Sequence, residues 1–128
     1  MLKSRGESVL RLKRFQVEEK RRTLTQIEAM IAEFDRMARE LNDQVIAEQE
    51  RSGIHDAGHF AYPTFAKAAT QRRDNLAASE RALKDQLANA RAAYDEAVAE
   101  LEKAEAIAVR DQASDAKHAQ HSAASAHA

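Results

Sequence analysis

The sequence predicts an all-α protein: a long two-helix antiparallel coiled-coil hairpin over residues 1–114, followed by a disordered C-terminal tail. Three observations carry that prediction. From Leu24 the apolar residues step 3, 4, 3, 4 through Ile27, Ile31, Phe34, Ala38, Leu41 and Val45. A second run of the same spacing passes through Phe65, Ala69, Arg72 and Leu76, and resumes through Leu83, Leu87, Ala90, Tyr94, Ala97, Leu101 and Ala104. One short break, holding the only proline of the 128 residues, separates them. Such spacing puts an apolar stripe on one side of each helix, and that stripe must be covered by another helix. With two stripes and one turn, folding back is the simplest solution.

The first helix is expected over about residues 4–51, beginning between Ser4 and Ser8 and stopped by Ser52-Gly53. That is roughly 70 Å of helix. Before Leu24 the stripe is ambiguous. Leu10 and Val17 continue it, Lys13 and Lys20 fall on its other core position, and Leu12 and Phe15 lie off it. Either the register shifts there or Leu12 and Phe15 form a second apolar strip for a partner. Residues 52–63, SGIHDAGHFAYP, are a turn marked by two glycines and Pro63. The second helix is expected over about 64–114. Its steps of four from Ser79 to Leu83 and from Leu83 to Leu87 read as a stutter that relaxes the supercoil. Residues 115–128, DAKHAQHSAASAHA, carry no stripe and are expected to be unstructured.

Composition agrees with helices and little else. Charged residues make up 32% and aromatics 5%, and there are three glycines, so a sheet protein or a thick globular core is not expected. The net charge of −1 gives no bulk attraction to nucleic acid or an anionic membrane. Without cysteine there is neither a disulfide framework nor a thiolate metal site. The first residues, MLKSRGESVLRLKRF, lack the apolar stretch of a signal peptide, and no window reaches the length of a membrane span. A soluble, cytoplasmic protein is expected.

Charge is distributed to favour antiparallel pairing. Residues 1–22 hold eight basic and three acidic groups, against two basic and six acidic in the facing 93–114. Residues 23–51 hold three basic and seven acidic, against six basic and three acidic in 64–92. With the turn centred between residues 57 and 58, Lys13 would meet Glu102, Lys20 Asp95, Asp43 Arg72, and Glu48 Lys67; Phe34 would sit over Ala78 and Ser79. Exposed pairs contribute only about 0.2–1 kcal/mol each, but a parallel arrangement would set like charge against like.

Chemistry is sparse. There is no glycine-rich phosphate loop, no HExxH and no GxSxG. A two-helix hairpin offers no water-excluding pocket, so no catalytic residues, cofactor or metal are expected and the protein is read as a non-enzyme. Of the five histidines, His55 and His59 lie in the turn and three in the tail; His118 and His121, at i and i+3, could meet a metal ion, but the tail around them supplies no second shell. Two patches are candidate partner surfaces. Arg11, Arg14, Arg21 and Arg22 exceed what the facing acidic helix needs and suit an acidic surface or phosphates. Phe60, Tyr62 and Phe65 place three of six aromatics within six residues at the turn, as a local cap or as an exposed contact.

Four segments resemble the alphaproteobacterial branch of the FliJ family of flagellar type III export proteins. They are RLKRFQVEEKRR at 11–22, QIEAMIAEF at 26–34, HFAYPTFAKAA at 59–69 and RRDNL at 72–76. HFAYP followed by RRDNL is the specific part, because heptad periodicity does not require those residues. The resemblance implies a long antiparallel coiled coil without catalytic residues. It implies a cytoplasmic place at the flagellar base, on the inner face of the membrane and not inserted in it. The implied partners are the export ATPase ring, the export gate protein and the export chaperones, with a role in flagellum assembly and motility. It implies gate contact near the start of the second helix, where Phe65, Ala69, Arg72 and Leu76 share one stripe; Arg73, beside them, is a further candidate partner residue. The alternatives are a generic coiled-coil adaptor, a nucleic-acid-binding arm using the basic face, or a dimer in which each helix pairs with another copy.

Overall fold

The computed structural model describes residues 2–126, with side chains from Arg5 to Ala123. It consists of two helices, α1 (Leu2–Ser52) and α2 (Thr64–Ala126), and no strand among the described residues. The fold is all-α and compatible with a helical hairpin. The chain divides into two compact units, one of Leu24–Ala90 and one of Met1–Thr23 with Arg91–Ala128.

In the unit Leu24–Ala90 the two helices run antiparallel on either side of residues 53–63. The covered face of α1 is the expected stripe, Leu24, Ile27, Ile31, Phe34, Ala38, Leu41 and Val45. Its α2 counterpart corrects the expectation. The covered positions are Ala66, Ala69, Arg73, Leu76, Glu80, Leu83, Leu87 and Ala90, in unbroken 3/4 spacing. Phe65, Arg72 and Ser79 are exposed instead. The stutter therefore does not occur. It arises only when Ser79 is put on the seam in place of the charged Glu80. Long side chains can lay their methylenes along a seam while the charged head leaves it. Arg73 does so, and its Nη1 donates to Asn42 Oδ1 at 2.7 Å. Asn42 lies opposite Arg73, as the expected register has it. Ala78 and Ser79 are exposed, so Phe34 does not find its complement there.

The tightest packing in this unit is at small residues. Ala66 and Ala69 are buried, and so are Val45 and Leu83. Alanine lets two helix backbones approach closely near the turn, where the chain must reverse. The turn itself is held by backbone groups. Gly53 takes φ +73°, and its N–H donates to Gln49 O at 2.9 Å, closing α1 with a left-handed cap. The Ser52 hydroxyl accepts from Ile54 N, and Asp56 Oδ1 accepts from Gly58 N. His59 N donates to Asp56 O and Tyr62 N to His59 O, so two tight turns follow each other. Pro63 then supplies the carbonyl that accepts from Lys67 N in the first turn of α2. Replacing Gly53 by alanine forces a Cβ into the left-handed region and is expected to cost about 1 kcal/mol, read as a lower thermal midpoint by circular dichroism.

In the other unit, residues 2–23 of α1 and 91–126 of α2 also run antiparallel. Leu10, Lys13 and Val17 hold the α1 stripe, and Tyr94, Ala97, Leu101, Ala104 and Ala108 the α2 stripe. None of its described residues is fully buried. The register does not shift before Leu24, so Leu12 and Phe15 are left on the outer face. Helix α1 starts at Leu2, earlier than expected. Residues 115–126 continue α2 as helix, where no regular structure was expected; residues 127 and 128 lie outside the described range. Every side chain from Val109 to Ala123 is exposed, so that extension contributes no packing.

The expected cross-helix charge pairs are largely replaced. Lys13 Nζ meets Glu100 Oε2 at 2.9 Å, two residues from the expected Glu102. Lys20, Asp95, Asp43 and Arg72 form no ion pair among the described residues, and Glu48 pairs with Arg51 on its own helix rather than with Lys67. Arg21–Glu18, Arg36–Glu33, Arg36–Glu40, Arg39–Asp35 and Lys84–Glu80 are likewise local pairs. A partner three or four residues away on the same helix is already in place, whereas a cross-helix partner must be reached over the seam.

Candidate partner-binding surfaces

The basic surface lies on the first turns of α1. Arg11, Arg14 and Arg22 are exposed and have no ion pair among the described residues. Arg21 differs: its Nη2 donates to Glu18 Oε2 at 2.6 Å, and that hydrogen bond raises its pKa. Helical spacing puts Arg11, Phe15 and Arg22 on one outer face, at i, i+4 and i+11. Leu12 borders the same face. Leu12 and Phe15 are 53% and 56% exposed, so an apolar strip lies within a field of unpaired guanidinium groups. The sequence left open whether these two residues mark a shifted register or a second strip. The register does not shift, and both residues face outward.

Lys13 and Glu100 form the cross-helix ion pair of this unit. The Lys13 ammonium, by hydrogen bond first and by charge second, holds the Glu100 carboxyl below its usual pKa. A carboxyl whose folded pKa is depressed adds stability above its unfolded pKa and loses it as pH falls through the folded value. Glu100→Gln is therefore expected to lower the thermal midpoint at neutral pH. The gap from the parent should close once the pH drops below the ordinary carboxylate range, about pH 4. Thermal melts at pH 7, 5 and 3 check this.

The turn divides its aromatics. Tyr62 is half-buried and its hydroxyl accepts from Gln49 Nε2 at 3.0 Å, tying the turn to the last full turn of α1. Phe60 is 97% exposed, and its ring stacks on the His59 ring with centroids 4.7 Å apart. His59 is itself fixed, because its Nδ1 accepts from Ala61 N at 3.0 Å. Phe65 is exposed at the start of α2. Thus Tyr62 pins the turn and Phe60 projects from it. An exposed aromatic on a braced turn loses little conformational freedom on binding, the property that makes such residues anchors.

Arg72 and Arg73 part company. Arg72 is exposed and borders an open groove of about 390 Å³ with Met37, Leu41 and Leu76. Arg73 is engaged with Asn42 and with Asp74 Oδ1 at 3.2 Å, so it serves the seam. His118 and His121 stand on the exposed extension of α2; among the described residues no group of three or more His, Cys, Asp or Glu is placed to hold a metal ion. No helix among the described residues is long and apolar enough to cross a membrane.

Comparison with known proteins returns nothing: no family model, no curated protein and no solved structure matches this chain. Sequence reasoning had missed the groove beside Gly6 described below. Its signal was a glycine at a seam position, Gly6, four residues before Leu10.

Proposed function

We propose that the chain is a non-enzymatic coiled-coil component of the flagellar type III export apparatus, cytoplasmic at the flagellar base. In this reading it contacts the export ATPase ring, the export gate and the export chaperones. The observation that carries the reading is HFAYP followed by RRDNL, which resembles the FliJ family in residue identities that heptad periodicity does not dictate. Exposed Phe60 and Phe65, in and beside that motif, support it, because packing within the chain does not account for them. The unpaired Arg11, Arg14 and Arg22, beside Leu12 and Phe15, supply a second contact, of the chemistry that an acidic protein surface fits.

Changing Arg11, Arg14, Arg21 and Arg22 together to glutamate reverses the charge of that surface. Binding to a purified export ATPase is expected to fall at least tenfold, and swimming motility of a strain carrying the variant to be lost. Unchanged binding and motility would remove the basic surface from the proposal. The same arginines also fit a nucleic-acid-binding arm. Binding to random duplex that weakens steeply with salt, without binding to the ATPase, would favour that reading.

A further inference from the structure

The unit formed by residues 2–23 and 91–126 has an open groove of about 540 Å³ along one side of its seam. One wall is a stripe of α1, Gly6, Val9 and Lys13; the other is a stripe of α2, Glu100, Ala104, Ile107 and Asp111. These spacings make each wall run along its helix for two to three turns, about 10–16 Å. Val9 and Ile107, one on each wall, are large apolar side chains left about half exposed.

Gly6 points the same way. A glycine inside a helix is destabilising relative to alanine, because it has more backbone freedom to lose. A Cβ built on Gly6 would meet nothing within 4 Å, so packing inside this chain does not call for a glycine there. Its missing side chain, with Ala104 and Ala108, leaves the groove shallow enough for another backbone to come close.

Charge selects the visitor. The groove is lined by Arg5, Lys13 and Lys103 against Glu100 and Asp111. Glu100 is taken by Lys13, while Arg5, Lys103 and Asp111 form no ion pair among the described residues, which leaves two free cations against one free carboxylate. We propose that this groove is the docking site of a third helix, an acidic amphipathic helix supplied by a partner protein. Its apolar stripe would cover Val9 and Ile107, and its flanking carboxylates would meet Arg5 and Lys103.

A second copy fits less well. The exposed Leu12–Phe15 strip is bordered by Arg11, Arg14 and Arg22, of the same sign as the groove. Alanine is the only apolar residue after Ser114. The exposed Met30 and Met37 are bordered by Glu33 and Glu40, both already bound to Arg36. The proposal does not depend on the export reading, since it stands on the geometry of this unit alone.

The test uses the full chain and two labelled synthetic helices. Both carry leucine at heptad core positions; one has glutamate at the flanking positions and its twin has lysine. Fluorescence anisotropy is expected to show the acidic helix binding at least tenfold tighter than the basic one, with the advantage shrinking as salt rises. Val9→Glu and Ile107→Glu should each weaken it at least tenfold with helix content unchanged by circular dichroism. If either glutamate variant unfolds, Val9→Ser and Ile107→Ser carry the same expectation with a smaller, severalfold loss. Equal binding of the two helices, no binding of either, or indifference to the Val9 and Ile107 changes overturns the proposal. So does a dimer seen by light scattering that Ile107→Glu dissolves, which would assign the groove to a second copy.

Discussion

Leu83→Ala is expected to cost about 2–4 kcal/mol, the range for removing a buried leucine and leaving a cavity. That is a large loss here. Among the described residues the buried hydrophobic set is small, Val45, Ala66, Ala69 and Leu83, and all four belong to the unit Leu24–Ala90. With so few residues shielded on every side, no neighbouring core can absorb the gap. Total stabilities of small domains are only about 5–15 kcal/mol, so one such change consumes much of the total. A companion variant tests the opposite defect. Ala66 is 0% exposed and sits where α2 leaves the turn. Ala66→Leu has no space to enter without moving the helices apart, and is expected to cost about 1–3 kcal/mol. Phe65→Leu, one residue away on an exposed position, should change the thermal midpoint little. Urea unfolding followed by circular dichroism separates the three. A Leu83→Ala midpoint equal to the parent's would mean that the helices do not pack through this seam.

Much of this architecture was legible because heptad spacing is a strong physical signal. Leu24 to Val45 and Leu83 to Ala104 are covered in the expected pattern, and the turn limits follow from Gly53 and Pro63. The departures lie at the start of α2. The bulky Phe65 reads as the first seam residue where small Ala66 holds it, Arg72 then follows in place of Arg73, and uncharged Ser79 reads as a seam residue in place of charged Glu80. Of the candidate surfaces, composition located the basic patch and the aromatic turn. It could not separate Tyr62 from Phe60, since that depends on which ring finds Gln49. Nor could it separate Arg72 from Arg73, because adjacent helix positions point about 100° apart and the register decides which one faces the seam. Charge blocks predicted antiparallel pairing at the level of segments, while individual ion pairs went to local partners such as Glu48 and Arg51.

Arg73 and Glu80 are the positions where stability and specificity should come apart. Both sit on the α2 seam in half-covered surroundings. Arg73 is held by Asn42 across the seam and Glu80 by Lys84 at 3.6 Å on its own helix. Replacing both by leucine would extend the apolar stripe without a gap from Ala66 to Ala90. Exchanging a buried ion pair for apolar residues of similar volume is often neutral or stabilising by about 1–4 kcal/mol, and these two sites are only half covered and not paired with each other. The expected gain is therefore about 1–2 kcal/mol. The polar residues give something else. Arg73 can satisfy Asn42 in only one register and orientation, so it penalises slipped, parallel and intermolecular pairings. The leucine pair should keep its helix content and melt later, yet populate dimers or larger species at concentrations where the parent does not. Light scattering with a urea series measures both effects. A more stable variant of unchanged mass would show that the turn alone fixes the pairing and that Arg73 has no part in specifying it.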